Sequence, residues 1–200
     1  MTYSGKRLPA EKRRKQIVRC AVRVFARSNY RKTRVADIAS EAGISEAMIY
    51  KHFPSKKSIF IEVLQNMSER MISRLLEEGK KEKNALEAIR NMAKTFYNLI
   101  VSHPDEVKVQ FQAISEIDDE EIADRLHRDH EDYMRFIRGV IERGIQQRTI
   151  RKDLDVETFV LLLDGVGIFV ELMKLLSFEQ HFTEATVVKM TDRLIEQMRS

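Results

Sequence analysis

The sequence has little that could cross-link, bend or break it. A single cysteine in 200 residues excludes an internal disulfide and fits a reducing compartment. Three prolines and seven glycines leave few places for a helix to end. No alternating apolar–polar run bounded by turn residues argues for strands. The first nine residues carry no apolar run, so no secretory signal is expected there. The longest apolar stretch, 156–178, holds Glu157, Asp164, Glu171 and Lys174. A mid-membrane acid costs about 2.5–3.5 kcal/mol on insertion scales, so the stretch reads as a buried helix of a cytoplasmic protein rather than a membrane span. A Gly-rich phosphate loop after a strand and a nucleophile elbow are both missing, so neither an enzyme nor a cofactor is expected.

What is present is helix-forming sequence. Apolar residues make up 43% and charged residues 33%, the latter against roughly 25% in an average chain. Leu, Ile, Met, Glu, Lys and Arg dominate, and the fold class is all-α. The net charge of +4 conceals an asymmetry. Residues 1–60 carry 15 Lys and Arg against four acids, a net of +11, and residues 61–200 carry a net of −7. A basic head on an acidic body is the footprint of a polyanion-binding module joined to something else.

The apolar spacing predicts helices over 9–27, 34–42, 45–50 and 56–78, then 84–102, 105–115, 118–147, 156–177 and 183–199, about nine in all. Thr33, Ser45 and Ser55 are the expected caps of the second, third and fourth. Gly79 is expected to end the fourth. Cys20 lies on the inner face of the first helix and reads as a small core residue.

The informative stretch is Val35 to His52. Two short helices joined by a glycine-containing turn are a helix-turn-helix signature. Ala39 supplies the small residue at the crossing, and Gly43 supplies the turn. Val35, Ile38, Ile44 and Ile49 bury the pair against the first helix. Ser45, Glu46, Ala47, Tyr50, Lys51 and His52 then lie on or flank a third helix able to enter a major groove about 12 Å wide. Thr33, Arg34 and Lys56 stand at helix N-termini, where backbone N–H groups attract phosphate. Base edges read by the third helix would set sequence, and the flanks would set position.

These residues resemble the N-terminal domain of the TetR (tetracycline-repressor-like) family over about 11–71. The resemblance is carried by Asp37-Ile38-Ala39, by Ala42-Gly43-Ile44-Ser45, and by Ile49-Tyr50-Lys51-His52-Phe53 with Ser55-Lys56. Asn29 departs from the glycine of many members but tolerates the same turn. Glu46 is a second departure, an acid that repels phosphate yet can accept from a cytosine amine. The resemblance implies a helix-turn-helix domain at 1–54 and a larger helical effector-binding and dimerisation domain at 55–200. It further implies a transcriptional repressor that a small, largely apolar effector releases from its operator. The alternative is a DNA-binding adaptor whose body binds a protein.

A single short helix reads few base pairs, so a homodimer on a pseudo-palindromic operator of double-stranded DNA is expected. The helix at 156–177 is apolar nearly all round and needs cover on every side. Leu162, Gly165, Val166, Phe169 and Met173, with Val187 and Leu194 of the last helix, are the interface candidates. Met92, Phe96, Tyr97, Ile100, Phe111, Met134, Ile137 and Phe169 are the effector-pocket candidates, since aromatic and methionine side chains suit an apolar ligand. His127 and His130, with Asp124 nearby, have metal-binding spacing but sit in a charged stretch that reads as a solvated face, so no metal is expected. Asp164 can serve a structural role, pair across the interface, or contact a cationic ligand. The fourth helix is the expected lever between body and head.

Overall fold

In the computed structural model the described residues are 8–178, 180 and 182–200, and among them there are nine α-helices and no sheet. An isolated bridge joins Ile150 to Arg199. The head is α1 (Ala10–Arg27), α2 (Val35–Ala42) and α3 (Glu46–Tyr50). Helix α1 turns Ile17, Cys20, Ala21, Val24 and Phe25 inward, the face its spacing predicts.

Gly43 stops α2 at φ +65°. Its N–H donates to Ser40 O at 3.1 Å while Ile44 N–H donates to Ala39 O at 3.0 Å, which satisfies carbonyls the helix end would orphan. Ser45 then caps α3 by accepting from Met48 N–H at 3.2 Å. Thr33 does not cap α2. Arg34 occupies the cap position, and its backbone N–H donates to Asp37 Oδ2 at 2.8 Å. The Thr33 hydroxyl instead closes the preceding turn by donating to Asn29 O at 2.7 Å.

Helix α4 (Lys56–Lys81) is capped by Ser55 and runs straight through Gly79. That glycine is buried within the helix, where a Cβ would lie 3.4 Å from Met92 Sδ, and its carbonyl accepts from the Arg143 guanidinium at 3.2 Å. The remaining helices are α5 (Ala85–Ser102), α6 (Pro104–Ile114), α7 (Glu120–Gln146), α8 (Val156–Leu175) and α9 (Glu184–Met198).

Two apolar cores result. One lies within the body, between α4, α5, α6, α7, α8 and α9. The other fills the head, where Phe25 meets Phe60 edge-on at 5.0 Å and Tyr30 meets Phe60 at 4.5 Å. This head core extends past residue 54. Ile59, Phe60 and Val63 of α4, Val109 and Ala113 of α6, and Ile122 of α7 are all buried in it. The head therefore stands on three body helices, and α6 reaches both cores' surroundings.

Helix α8 is only half covered. Phe159, Val160, Asp164, Gly167, Val170 and Glu171 are buried, while Leu161, Leu162, Ile168 and Phe169 are exposed. None of the helices, among the described residues, is long and apolar enough to cross a membrane.

Candidate functional site

The reading surface of the head is α3 and its flanks. Ile49 points inward at 0% exposure and anchors α3. Ser45, Glu46, Ala47, Tyr50 and Lys51 are exposed, and His52 is half-buried. The polar groups predicted at phosphate positions divide. Arg34 is exposed and leans on Asp37 at 3.3 Å. Thr33 is 2% exposed with both its hydroxyl and its N–H spent on Asn29 O, so nothing of it is presented to solvent.

Lys56 turns inward as well. Its Nζ donates to Tyr30 O at 2.6 Å and lies 4.5 Å from the Tyr30 ring centroid, and burial holds its pKa down. Lys57 pairs with Asp119 at 3.1 Å and Glu121 at 2.8 Å, tying the start of α4 to the start of α7. Arg14, which sequence reasoning passed over, grips Glu62 through two bonds of 2.7 and 2.6 Å, donates to His52 O at 2.7 Å and lies over Phe53. The basic character of the head is thus partly internal bracing, and Arg34 and Lys51 are the site candidates left with outward charge.

The second feature is a cavity of 460 Å³ in the body, walled by α4, α5, α6, α7 and α8. Its volume falls in the ~300–1,000 Å³ range of small-molecule sites. Most of the wall is apolar: Leu64, Met67 and Met71 from α4, Leu99 from α5, Val107 from α6. Of the predicted effector contacts, Phe96, Ile100 and Phe111 line it. Met92 and Ile137 line a separate void of 50 Å³ that shares Phe96, Tyr133 and Gly167 with the main cavity. Tyr97 borders a void of 10 Å³, and Met134 is half-buried against the body core. Phe169 lies outside both larger cavities, 40% exposed, with its ring edge-on to Phe182 at 5.2 Å.

The polar groups of the cavity were not recognisable as a set from sequence. Asp164 and Glu171 of α8 face it, together with Gln110 of α6 and His130 and Tyr133 of α7. His130 Nε2 lies 3.3 Å from Asp164 Oδ2, and Gln110 Nε2 donates to Glu171 Oε2 at 3.2 Å. Burial pushes the Glu171 carboxyl up to about 8, with the Asp164 charge adding to it. Burial also raises Asp164, against the pull of His130. Tyr133 is raised strongly by burial and by both acids. Asp164 is therefore a cavity group, not one that faces an outer interface. A spacing of seven residues places it and Glu171 on one helical face, and that was the legible clue.

Of the two histidines at metal spacing, His127 pairs with Glu131 at 3.2 Å and His130 turns to Asp164. The described residues contain no group of three or more metal-type ligands.

The interface candidates also separate. Leu162, Gly165 and Phe169 face outward, and a methyl group on Gly165 would meet nothing within 4 Å. Val166, Met173 and Leu194 are half-buried. Val187 is 1% exposed and belongs to the body core, so it cannot meet a partner.

Residues 17–63 match the family model described as bacterial regulatory proteins, tetR family. The HTH-type transcriptional repressor KstR2 of Rhodococcus jostii (strain RHA1) is 28% identical over 148 residues, 72% of this chain and 71% of that protein. A structure of FadR from Bacillus subtilis in complex with stearoyl-CoA superposes with a TM-score of 0.76 at 22% identity, over 93% of this chain and 97% of that one. A transcriptional regulator from Saccharomonospora viridis in complex with choline superposes with a TM-score of 0.74 at 27% identity, over 95% and 99%. The head geometry, the nine-helix order and these likenesses agree: residues 17–63 are a helix-turn-helix domain of the tetR-family type, and the chain as a whole is similar to TetR-family transcriptional regulators.

Proposed function

We propose that this regulator represses transcription as a homodimer and leaves its operator when a small, largely apolar molecule fills the 460 Å³ cavity. The observation that carries this reading is the double duty of α6. Val109 and Ala113 are buried in the head core, and Val107, Gln110 and Phe111 of the same helix line the cavity. Leu64 of α4 is likewise in the head core and on the cavity wall. A ligand can shift the heads only by favouring one arrangement of these helices over another. Helix α6 thus joins α4 as a lever.

The division into a head at 1–54 and a body at 55–200 remains the working assignment, with the head resting on the first turns of α4. Ser45, Glu46, Ala47, Tyr50 and Lys51 are taken as base-facing or groove-facing residues, and Arg34 as a phosphate contact. The exposed stripe of Leu161, Leu162, Ile168 and Phe169 is taken as the two-fold face. From the neighbours bound to stearoyl-CoA and to choline we take only that a body of this shape accommodates a small molecule.

The test is operator affinity, measured by fluorescence anisotropy on a site selected from random DNA, with and without ligands that bind the body. A drop of tenfold or more on ligand binding supports the reading. An operator affinity unmoved by every ligand that binds the cavity overturns it. An unchanged affinity, with a protein partner captured on the α8 stripe, would favour the adaptor reading.

A further inference from the structure

Most of the cavity wall is apolar, and one strip of it, on α8, carries two buried acids. Asp164 is 6% exposed and Glu171 4%. Each has a single carboxylate oxygen engaged, Oδ2 by His130 and Oε2 by Gln110. The other oxygen of each carboxylate, and the Tyr133 hydroxyl, have no hydrogen-bond partner among the described residues. The hydroxyl reaches the α8 backbone at Gly167, midway between the two acids, where a Cβ would lie 3.7 Å from it.

The cations around the cavity are already committed. Arg70 of α4 is bound to Glu106 of α6, and Asp129 of α7 is bound to Arg125. His127 pairs with Glu131, and His103 Nδ1 lies 3.1 Å from Leu99 O. Helix α5 contributes only Phe96, Leu99 and Ile100. Among the described residues, His130 is the basic side chain within reach of Asp164, 3.3 Å from its Oδ2. An anionic head brought to this strip would face Asp164 and oppose ionisation of Glu171, with Arg70 already held by Glu106, whereas a positive head would favour the ionised form of both acids. Phe96, Phe111 and Tyr133 line the same cavity, and aromatic rings also suit a cation.

We propose that the ligand of this cavity is an organic cation with an apolar body, a lipophilic amine or quaternary ammonium. Its charged end rests against Asp164, Glu171 and Tyr133, and its apolar part lies along Met67, Met71 and Phe111. This rests on the reading of the cavity as the effector site. Because burial keeps Glu171 largely protonated near neutrality, seating a cation beside it expels a proton, and affinity rises with pH toward 8. The titratable and charged groups around it are Arg70, His103, Glu106, His127, Asp129, His130, Tyr133 and Asp164.

The experiment compares decyltrimethylammonium, decanol, decanoate and decanoyl-CoA by calorimetry on the full chain at pH 6.5 and 8, below micelle concentrations. The expected result is decyltrimethylammonium binding at least tenfold tighter than decanol and a hundredfold tighter than decanoate at pH 8, with the cation's advantage smaller at pH 6.5. Asp164→Asn with Glu171→Gln should cut cation affinity tenfold or more, in protein shown by circular dichroism to fold. Decanoate or decanoyl-CoA binding as tightly as the cation overturns the proposal, as does a folded double variant that binds the cation unchanged. If the variant fails to fold, the order of the four ligands on the native chain decides. Cation binding without operator release would sink the repressor-switch reading and leave the ligand class standing. Operator release by decanoyl-CoA alone would do the reverse.

Discussion

Gln110 of α6 donates to Glu171 of α8 across 3.2 Å, and this bond joins the helix that supports the reading head to the helix that carries the buried acids. A ligand that takes over Glu171 must compete with Gln110. Gln110→Leu should therefore leave the chain folded but reduce the ligand-induced change in operator affinity, by about 1 kcal/mol or roughly fivefold. Anisotropy titrations of both proteins with a ligand shown to bind the body would check this. An unreduced response would place the coupling in α4 alone.

Stability should fall with rising pH near neutrality. Glu171 holds its proton to about 8 in the folded chain, against about 4.3 when unfolded. The folded state then binds more protons between those values, so its advantage is complete at the acid end and is lost as pH rises through 8. Asp164 acts in the same direction. The slope approaches ~1.4 kcal/mol per pH unit within that window. Urea midpoints of the native chain should fall between pH 6 and 8, and Glu171→Gln should flatten the curve. Parallel curves for the two proteins would contradict this assignment.

Gly144 and Gly165 should respond oppositely to alanine. A methyl group at Gly144 would overlap Ile150 Cδ1 and lie 2.9 Å from Ala85 Cβ, so Gly144→Ala should cost about 1–3 kcal/mol. Gly165 is open, so Gly165→Ala should stabilise the isolated subunit by up to about 1 kcal/mol through helix propensity. Melting temperatures in dilute solution would check both signs. Concentration-dependent melting, weakened by Gly165→Ala, would locate a partner helix there.

Leu162→Arg and Phe169→Arg each put a charge on the outward stripe of α8 without entering either core. Sedimentation should then show a monomer at micromolar concentration, with operator affinity down a hundredfold or more. A dimer that persists in both variants would move the interface elsewhere.

The lysines of the head should part company. Lys51→Ala removes an outward charge and should lower the salt slope of operator binding by about one while weakening all sites alike. Lys56→Met removes the brace on Tyr30 O and should lower the melting temperature with no change in slope. A changed slope in Lys56→Met would show that its ammonium reaches phosphate after all.

The helices were legible because burial writes itself into spacing, as in Ile17, Ala21 and Val24 of α1 or Val35, Ile38 and Ala39 of α2. Gly43 was legible for the same kind of reason, since a positive φ leaves few residue types. Partners were not. Sequence shows that residue 56 is a lysine at a helix start, but not that Tyr30 O waits 2.6 Å away. It shows Thr33 beside a helix, but not that its hydroxyl closes the turn before. The cavity was hardest, because its wall joins Leu64 to Glu171 across more than a hundred residues. Asp164 stands out in its apolar run, whereas Glu171 reads from sequence only as an interruption of the same run.

Cys20 sits 4% exposed where α1 meets α2, its sulfur 3.2 Å from Arg23 Nη2 and 3.7 Å from Glu41 O. It is the sole thiol of the chain. A maleimide can reach it only while α2 stands away from α1, so alkylation becomes a clock for local opening of the reading unit and is blind to the body. Native sequence thus carries its own reporter. One mass-spectrometric time course, run free, on operator and with an occupied cavity, would tell whether a signal from below loosens the reading unit itself or merely re-aims it as a rigid piece.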